Sequence, residues 1–197
     1  MMKIIGITGG VGSGKSEVIR FLEKRDRVQV LLADEVGHLL MRKGNRCYQP
    51  VLELFGEQVL DREGQLNRSA IADLVYRDKD LLKKLNAIIH PAVRDYIEEQ
   101  IQKAKESGKE FFFLEAALLL EEHYDEICQE VWYIYAREEV RRQRLEKSRG
   151  YTREKITQIM ATQLSEQEFA ARCDVIIDNS GDFEETKREI ENRMSVL

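Results

Sequence analysis

Five apolar runs of strand length are spread along the chain. The first, "KIIGIT" (3–8), ends in glycines, and "EVIRFLEK" after it sets Val18 and Leu22 one turn apart, so the opening reads as strand, loop and helix. "VQVLLAD" (28–34) reads as a strand running into a helix. "FFFLEA" (111–116), "VWYIYA" (131–136) and "DVIID" (174–178) supply three more strands. Helical patterns lie between them: "EEVRRQRLEK" follows the fourth strand, "DFEETKREIENRMSVL" follows the fifth, and Val93, Ile97 and Ile101 recur every four residues before the third. Apolar strands alternating with helices predict an α/β fold, a five-stranded parallel sheet with helices on both faces.

The spacing is uneven. About eighty residues separate the second strand from the third, and nearly all of them read as helix, which predicts an inserted helical subdomain over 35–108 in a core made of 1–34 and 109–197. Its pieces include "SAIADLVYRD" (69–78), "KDLLKKLNAII" (79–89) and "PAVRDYIEEQIQKAKESG" (91–108). The last is expected to begin with Pro91 at its first helical position and to stop at Gly108.

Composition narrows the class. With 43% hydrophobic and 34% charged residues and only two prolines, the chain reads as a helix-rich soluble globule rather than a disordered or fibrous one. The net charge of −5 argues against bulk nucleic-acid binding. No apolar run approaches the roughly 18 residues a membrane span needs, and the longest, "FFFLEAALLL", is broken by Glu115. The N-terminal apolar stretch gives way to glycines too soon for a signal peptide, so no membrane partner and a cytoplasmic location are expected. Cys47, Cys128 and Cys173 are far apart and lack metal-ligand spacing, so ordinary thiols are expected.

Between the first strand and helix, Gly9, four residues, then Gly14, Lys15 and Ser16 match G-x-x-x-x-G-K-[ST] in the strand–loop–helix context that the motif requires. Gly9, Gly12 and Gly14 let the backbone take conformations closed to other residues, so successive N–H groups can converge on phosphate oxygens, with the positive end of the helix behind them. The set Gly9, Gly12, Ser13, Gly14, Lys15, Ser16 and Glu17 is therefore expected to hold a nucleoside triphosphate. Lys15 would reach the β- and γ-phosphates, and the Ser16 hydroxyl would ligate Mg²⁺.

The loop does not name an acceptor. No Asn is followed by Lys, as a guanine-reading switch requires, and no LSGGQ-type transporter signature is present. A small-molecule kinase remains, whose acceptor could be any of several nucleosides or nucleotides, with a nucleotide-binding regulatory module or a nucleic-acid-linked ATPase as the competing class. A kinase needs a carboxylate near the acceptor hydroxyl, an acid near the metal, and cations to offset charge in transfer. Asp34, at the carboxyl end of the second strand, is either that base or a cap for the helix "EVGHLLM". Glu115, ending the third strand, is either a metal partner acting through water or a polar strand end. Residues 137–155 carry eight cations against four acids and read either as an arginine lid, spanning about 137–165, or as a solvated face with pairs such as Glu138 and Arg142.

Taken together, the motifs resemble the dephospho-CoA kinase family, which acts in the last step of coenzyme A synthesis. The likeness rests on "IGITGGVGSGKS" (5–16), "LAD" (32–34), "LNR" (66–68), "LNAIIHP" (85–91), "ALLLE" (117–121), "RLEKSRGYT" (144–152), Gln163 and "CDVIIDNSG" (173–181), in order over nearly the whole length. It implies transfer of the γ-phosphoryl of ATP, with Mg²⁺, to the ribose 3′-hydroxyl of dephospho-CoA. It further implies that Asp34 is the base, that Arg144 is a lid arginine, and that Arg68 and His90 face the small-molecule acceptor from the helical subdomain. The sequence departs from the family pattern at Leu32, Asn67 and Ala117, and the lid arginine expected at Ser148 stands one residue later as Arg149. One residue turns a helical side chain by about 100°, so Arg149 can serve only if the lid is irregular there, as Gly150 permits.

Overall fold

A computed structural model describes all of residues 1–197. The elements in chain order are β1 (Lys3–Thr8), α1 (Lys15–Leu22), β2 (Val28–Leu32), α2 (Ala33–Leu40), α3 (Tyr48–Phe55), α4 (Arg68–Arg77), α5 (Lys79–Glu106), β3 (Phe111–Glu115), β4 (Glu130–Tyr135), α6 (Glu138–Arg149), α7 (Arg153–Ala161), α8 (Glu166–Arg172), β5 (Val175–Asp178) and α9 (Phe183–Ser195). All five apolar runs form strands. The chain divides into two compact units: Met1–Leu31 with Ala104–Leu197, and Leu32–Lys103.

The first unit is built on a five-stranded parallel sheet in the order β2-β3-β1-β4-β5. Its central strand β1 is apolar on both faces because both are covered, and Ile5 and Ile7 are completely buried. The register sets Ile7 against Glu115 on one side and Thr8 against Tyr133 on the other. Glu115 therefore stands beside the last residues of β1, where the chain enters the glycine loop. Trp132 on β4 is fully buried, and its indole Nε1 donates to Glu130 Oε2 at 2.6 Å. Burial alone would raise the Glu130 carboxyl, but Arg193 of α9 and Trp132 bond it strongly enough to hold it below its ordinary range. A buried carboxylate is tolerable only when paired in this way.

The second unit is helical. Asn67 accepts bonds from the N–H groups of Ser69 and Ala70, which fixes the start of α4 at Arg68. Pro91 does not begin a new helix: α5 runs unbroken from Lys79 to Glu106 with Pro91 inside it. A proline there removes a ladder bond and crowds the preceding turn. The opposing force is packing, since Leu85, Val93, Ile97, Ile101 and Ala104 form one buried stripe that continues through the proline. The separate helices expected over 79–89 and 91–108 are thus one element, and His90 is mid-helix rather than at a helix start.

All three cysteines are free thiols. Burial pushes Cys128 and Cys173 up to about 12, so neither carries appreciable thiolate at neutral pH. No helix is long and apolar enough to cross a membrane.

Candidate active site

The loop from Gly9 to Lys15 leaves the carboxyl end of the central strand, the edge at which open parallel sheets bind ligands. Gly12 and Gly14 have φ of 80° and 94°, which side-chain-bearing residues rarely adopt. A Cβ at Gly9 would stand 2.5 Å from the Ile134 carbonyl oxygen, a rigid backbone atom. The chain therefore needs glycine at these positions for geometric reasons that the motif only names.

Side chains from distant elements grip the loop. Arg141 of α6 is buried, and its Nε donates to the Val11 carbonyl at 3.0 Å. Its guanidinium lies so close to Gly10 that a Cβ there would collide with it. Arg144, one turn further on, donates to the Ser13 carbonyl at 3.2 Å and to the Asn179 carbonyl at 2.8 Å. The Asn179 amide donates to the Ser13 carbonyl as well, at 2.8 Å. Gln163, just past α7, accepts from the Val11 N–H at 2.9 Å. Lys15 donates to the Gly9 carbonyl at 2.6 Å.

These bonds have a stereochemical consequence. In a planar trans peptide the carbonyl and the following N–H point to opposite sides. Holding the Val11 carbonyl toward α6 turns the Gly12 N–H the other way. The first turn of α1 adds N–H groups that have no carbonyl four residues back within the helix. The Val11 N–H is taken by Gln163 and the Ser13 N–H by the Gly10 carbonyl, while the Gly12 N–H is turned the other way and the positive end of the α1 dipole stands behind the loop, an arrangement that suits an anion.

The sequence-derived residues fall into two groups. Gly9, Gly12, Ser13, Gly14, Lys15, Ser16 and Glu17 lie in the loop and the first turn of α1. Glu115 ends β3 beside Ile7, and Arg144 rests on the loop itself. Arg149 is the last residue of α6 and lies over the Tyr151 ring, 5.9 Å from its centroid. Gly150 after it is left-handed, with φ of 62°, so the helix does become irregular there.

The second unit holds Asp34, Arg68 and His90. Asp34 is exposed in the first turn of α2, whose cap position is Leu32 with no side-chain bond, so Asp34 is not the helix cap. Arg68 lines a cavity of about 700 Å³ with His38, Arg42, Lys43, Asn45 and Glu63. Burial and then the Arg68 charge lower the His38 pKa below its ordinary value. His90 is half-buried on α5.

Arg141 and Asn179 were not singled out by sequence reasoning. Their signals were present: Arg141 stands one turn before Arg144, and Asn179 directly follows the carboxyl end of a parallel strand.

A parallel sheet carrying a phosphate loop at its central strand, with arginines packed on the loop, defines a P-loop phosphotransferase. The family model for dephospho-CoA kinase matches residues 3–185. A dephospho-CoA kinase from Geobacter sulfurreducens is 37% identical over 190 residues, covering 96% of each chain. Another, from Streptococcus mutans, is 34% identical over 198 residues, covering all of this chain and 98% of its own. Among solved structures, a Thermus thermophilus protein aligns with a TM-score of 0.84 at 30% identity, covering 100% of this chain and 98% of its own. A Campylobacter jejuni dephospho-CoA kinase shares the fold with a TM-score of 0.75 at 22% identity, covering 99% and 98%. The chain belongs to the dephospho-CoA kinase family, whose members are ATP-dependent kinases of a small-molecule substrate.

Proposed function

We propose that the chain transfers the γ-phosphoryl group of ATP to the ribose 3′-hydroxyl of dephospho-CoA, giving coenzyme A and ADP. The observation that carries this is the loop at residues 9–16, where Arg141, Arg144 and Asn179 hold the Val11 and Ser13 carbonyls aside, in a chain related to dephospho-CoA kinases over nearly its full length.

Each residue then has a role that its chemistry suits. Lys15 and the loop amides hold the β,γ-phosphates, and Arg144, with N–H groups beyond those given to Ser13 and Asn179, meets charge developing in transfer. Asp34 takes the proton of the acceptor hydroxyl. Its support is topological: it follows β2 by two residues, and segments leaving parallel strands at their carboxyl ends carry ligand-binding residues. Arg68 binds the acceptor through the cationic cavity of the helical unit, with His90 on α5 and Arg149 on the lid as further substrate contacts.

Mg²⁺ suits the donor set. Ser16 offers a hydroxyl and Glu115 a carboxylate, both hard oxygen donors, and the molecule has no group of three or more His, Cys, Asp or Glu able to hold a metal alone. A magnesium ion bound mostly by phosphates and water needs none. When bound it would neutralise part of the charge on the β- and γ-oxygens.

The test is ADP release with dephospho-CoA set against a panel of nucleosides and nucleoside monophosphates. The expected result is turnover with dephospho-CoA at least about 100-fold above the panel in kcat/KM, because a site built to bond a polar substrate rejects acceptors that leave its groups unpaired. Equal or faster turnover of a panel member would reassign the acceptor.

A further inference from the structure

Asn179 is a buried and multiply bonded polar side chain outside the motif. It follows β5 directly and is completely buried. Its backbone N–H donates to the Tyr135 carbonyl at 2.8 Å, which ties it to the end of β4. The side-chain amide has a defined orientation: the Ser13 carbonyl can only accept, so Nδ2 must face it, which leaves Oδ1 for the Thr186 hydroxyl at 3.0 Å, a hydroxyl whose one proton also has the Asp178 carbonyl in reach at 3.1 Å. Thr186, on α9, is itself buried. Gly14 completes the fit, since any Cβ at that position would run into the Asn179 amide nitrogen.

We infer that Asn179 is a positioning residue for phosphoryl transfer, setting the Ser13–Gly14 peptide plane so that the Gly14 N–H faces the nucleotide's phosphates, with the Thr186 hydroxyl supporting the other end of the Asn179 amide. This rests on the phosphate-loop reading of residues 9–16. The physical step is peptide planarity: the Asn179 amide holds the Ser13 carbonyl toward the β5–α9 junction, and the Gly14 N–H is thereby turned to the opposite side. Arg144 shares the Ser13 carbonyl and also takes the Asn179 backbone carbonyl, so loop, strand end and cationic side chain are joined in one network. Such a network costs nothing to organise at the moment of reaction, which is what an electrostatic catalyst requires.

The isosteric change Asn179→Asp tests this. An ionised carboxylate would set an acceptor against the Ser13 carbonyl, and the plane would lose its restraint. The expected result is a fall in kcat/KM for ATP of about 100-fold, the cost of a misplacement near 1 Å, with KM for dephospho-CoA unchanged. Thr186→Val should lower kcat/KM for ATP in the same direction by about 5-fold, and Thr186→Ser, which keeps the hydroxyl, should restore it. A purely structural role would instead lower the melting temperature and leave both constants at wild-type values when assayed well below it. That result overturns the inference. If Asn179→Asp does not fold, a wild-type kcat/KM for ATP in Thr186→Val overturns it equally. A wild-type protein that binds no ATP in calorimetry would point to a different fault, in the reading of the loop itself.

Discussion

Replacing Lys15 by alanine is expected to weaken ATP binding and phosphoryl transfer together, lowering kcat/KM for ATP by about 10²–10³-fold, the usual cost of removing one preorganised donor from a transferring group. Lys15 is the first residue of α1, and its ammonium reaches back over the loop to the Gly9 carbonyl at 2.6 Å. It is thereby held over the loop. Alanine keeps the helix, since its helical propensity is the highest of any residue, so the loss is one of charge rather than of fold. Calorimetric titration of ATP and steady-state kinetics read the two effects separately. Unaltered ATP-dependent kinetics in Lys15→Ala would remove the loop from the assigned role.

Asp34→Asn is expected to behave differently. An amide of the same shape cannot take a proton from an attacking hydroxyl, so kcat falls by about 10²–10⁴-fold, the range general-base catalysis contributes. ATP affinity should change little, because the residues assigned to the nucleotide lie between Gly9 and Glu17. Asp34 is exposed and makes no capping bond at the start of α2, so its removal carries no evident cost in stability. The two variants therefore split binding from chemistry. Lys15→Ala loses both, and Asp34→Asn loses turnover alone. Wild-type turnover in Asp34→Asn would remove that carboxylate from the reaction.

How much of this was legible in the chain differs by residue, and the reason is range. The strand β1 and the loop after it are local: an apolar run, glycines at fixed offsets and a helix start lie within twenty residues, and each has a backbone requirement that shows in residue type. The five apolar strands were legible for the same reason, because a parallel sheet covered on both faces demands continuous apolar runs. Pro91 shows where local rules give way. Its preference for a first helical turn is real, but a buried stripe from Leu85 to Ala104 packs through it and holds one helix.

Of the loop's supports, Arg144 and Gln163 were legible but Arg141 and Asn179 were not. The Arg141 and Asn179 contacts to Val11 and Ser13 span 130 and 166 residues. No periodicity links positions so far apart, and both residue types have common local uses, in solvated helix faces and in turns. Only the sheet order, which sets β4 beside β1 and β5 beyond it, brings α6 and the β5–α9 junction to the loop. Asp34 lies between these cases: its place after β2 was clear, whereas the choice between cap and first-turn residue needed the backbone at Leu32.

The most direct measurement is to follow γ-³²P from labelled ATP through a single reaction with dephospho-CoA and Mg²⁺, and to locate it in the products. Label is expected in a 3′-phosphomonoester of the ribose, in amounts equal to the ADP formed. Label released as inorganic phosphate at the same rate with or without acceptor, or appearing at any other position, would contradict it.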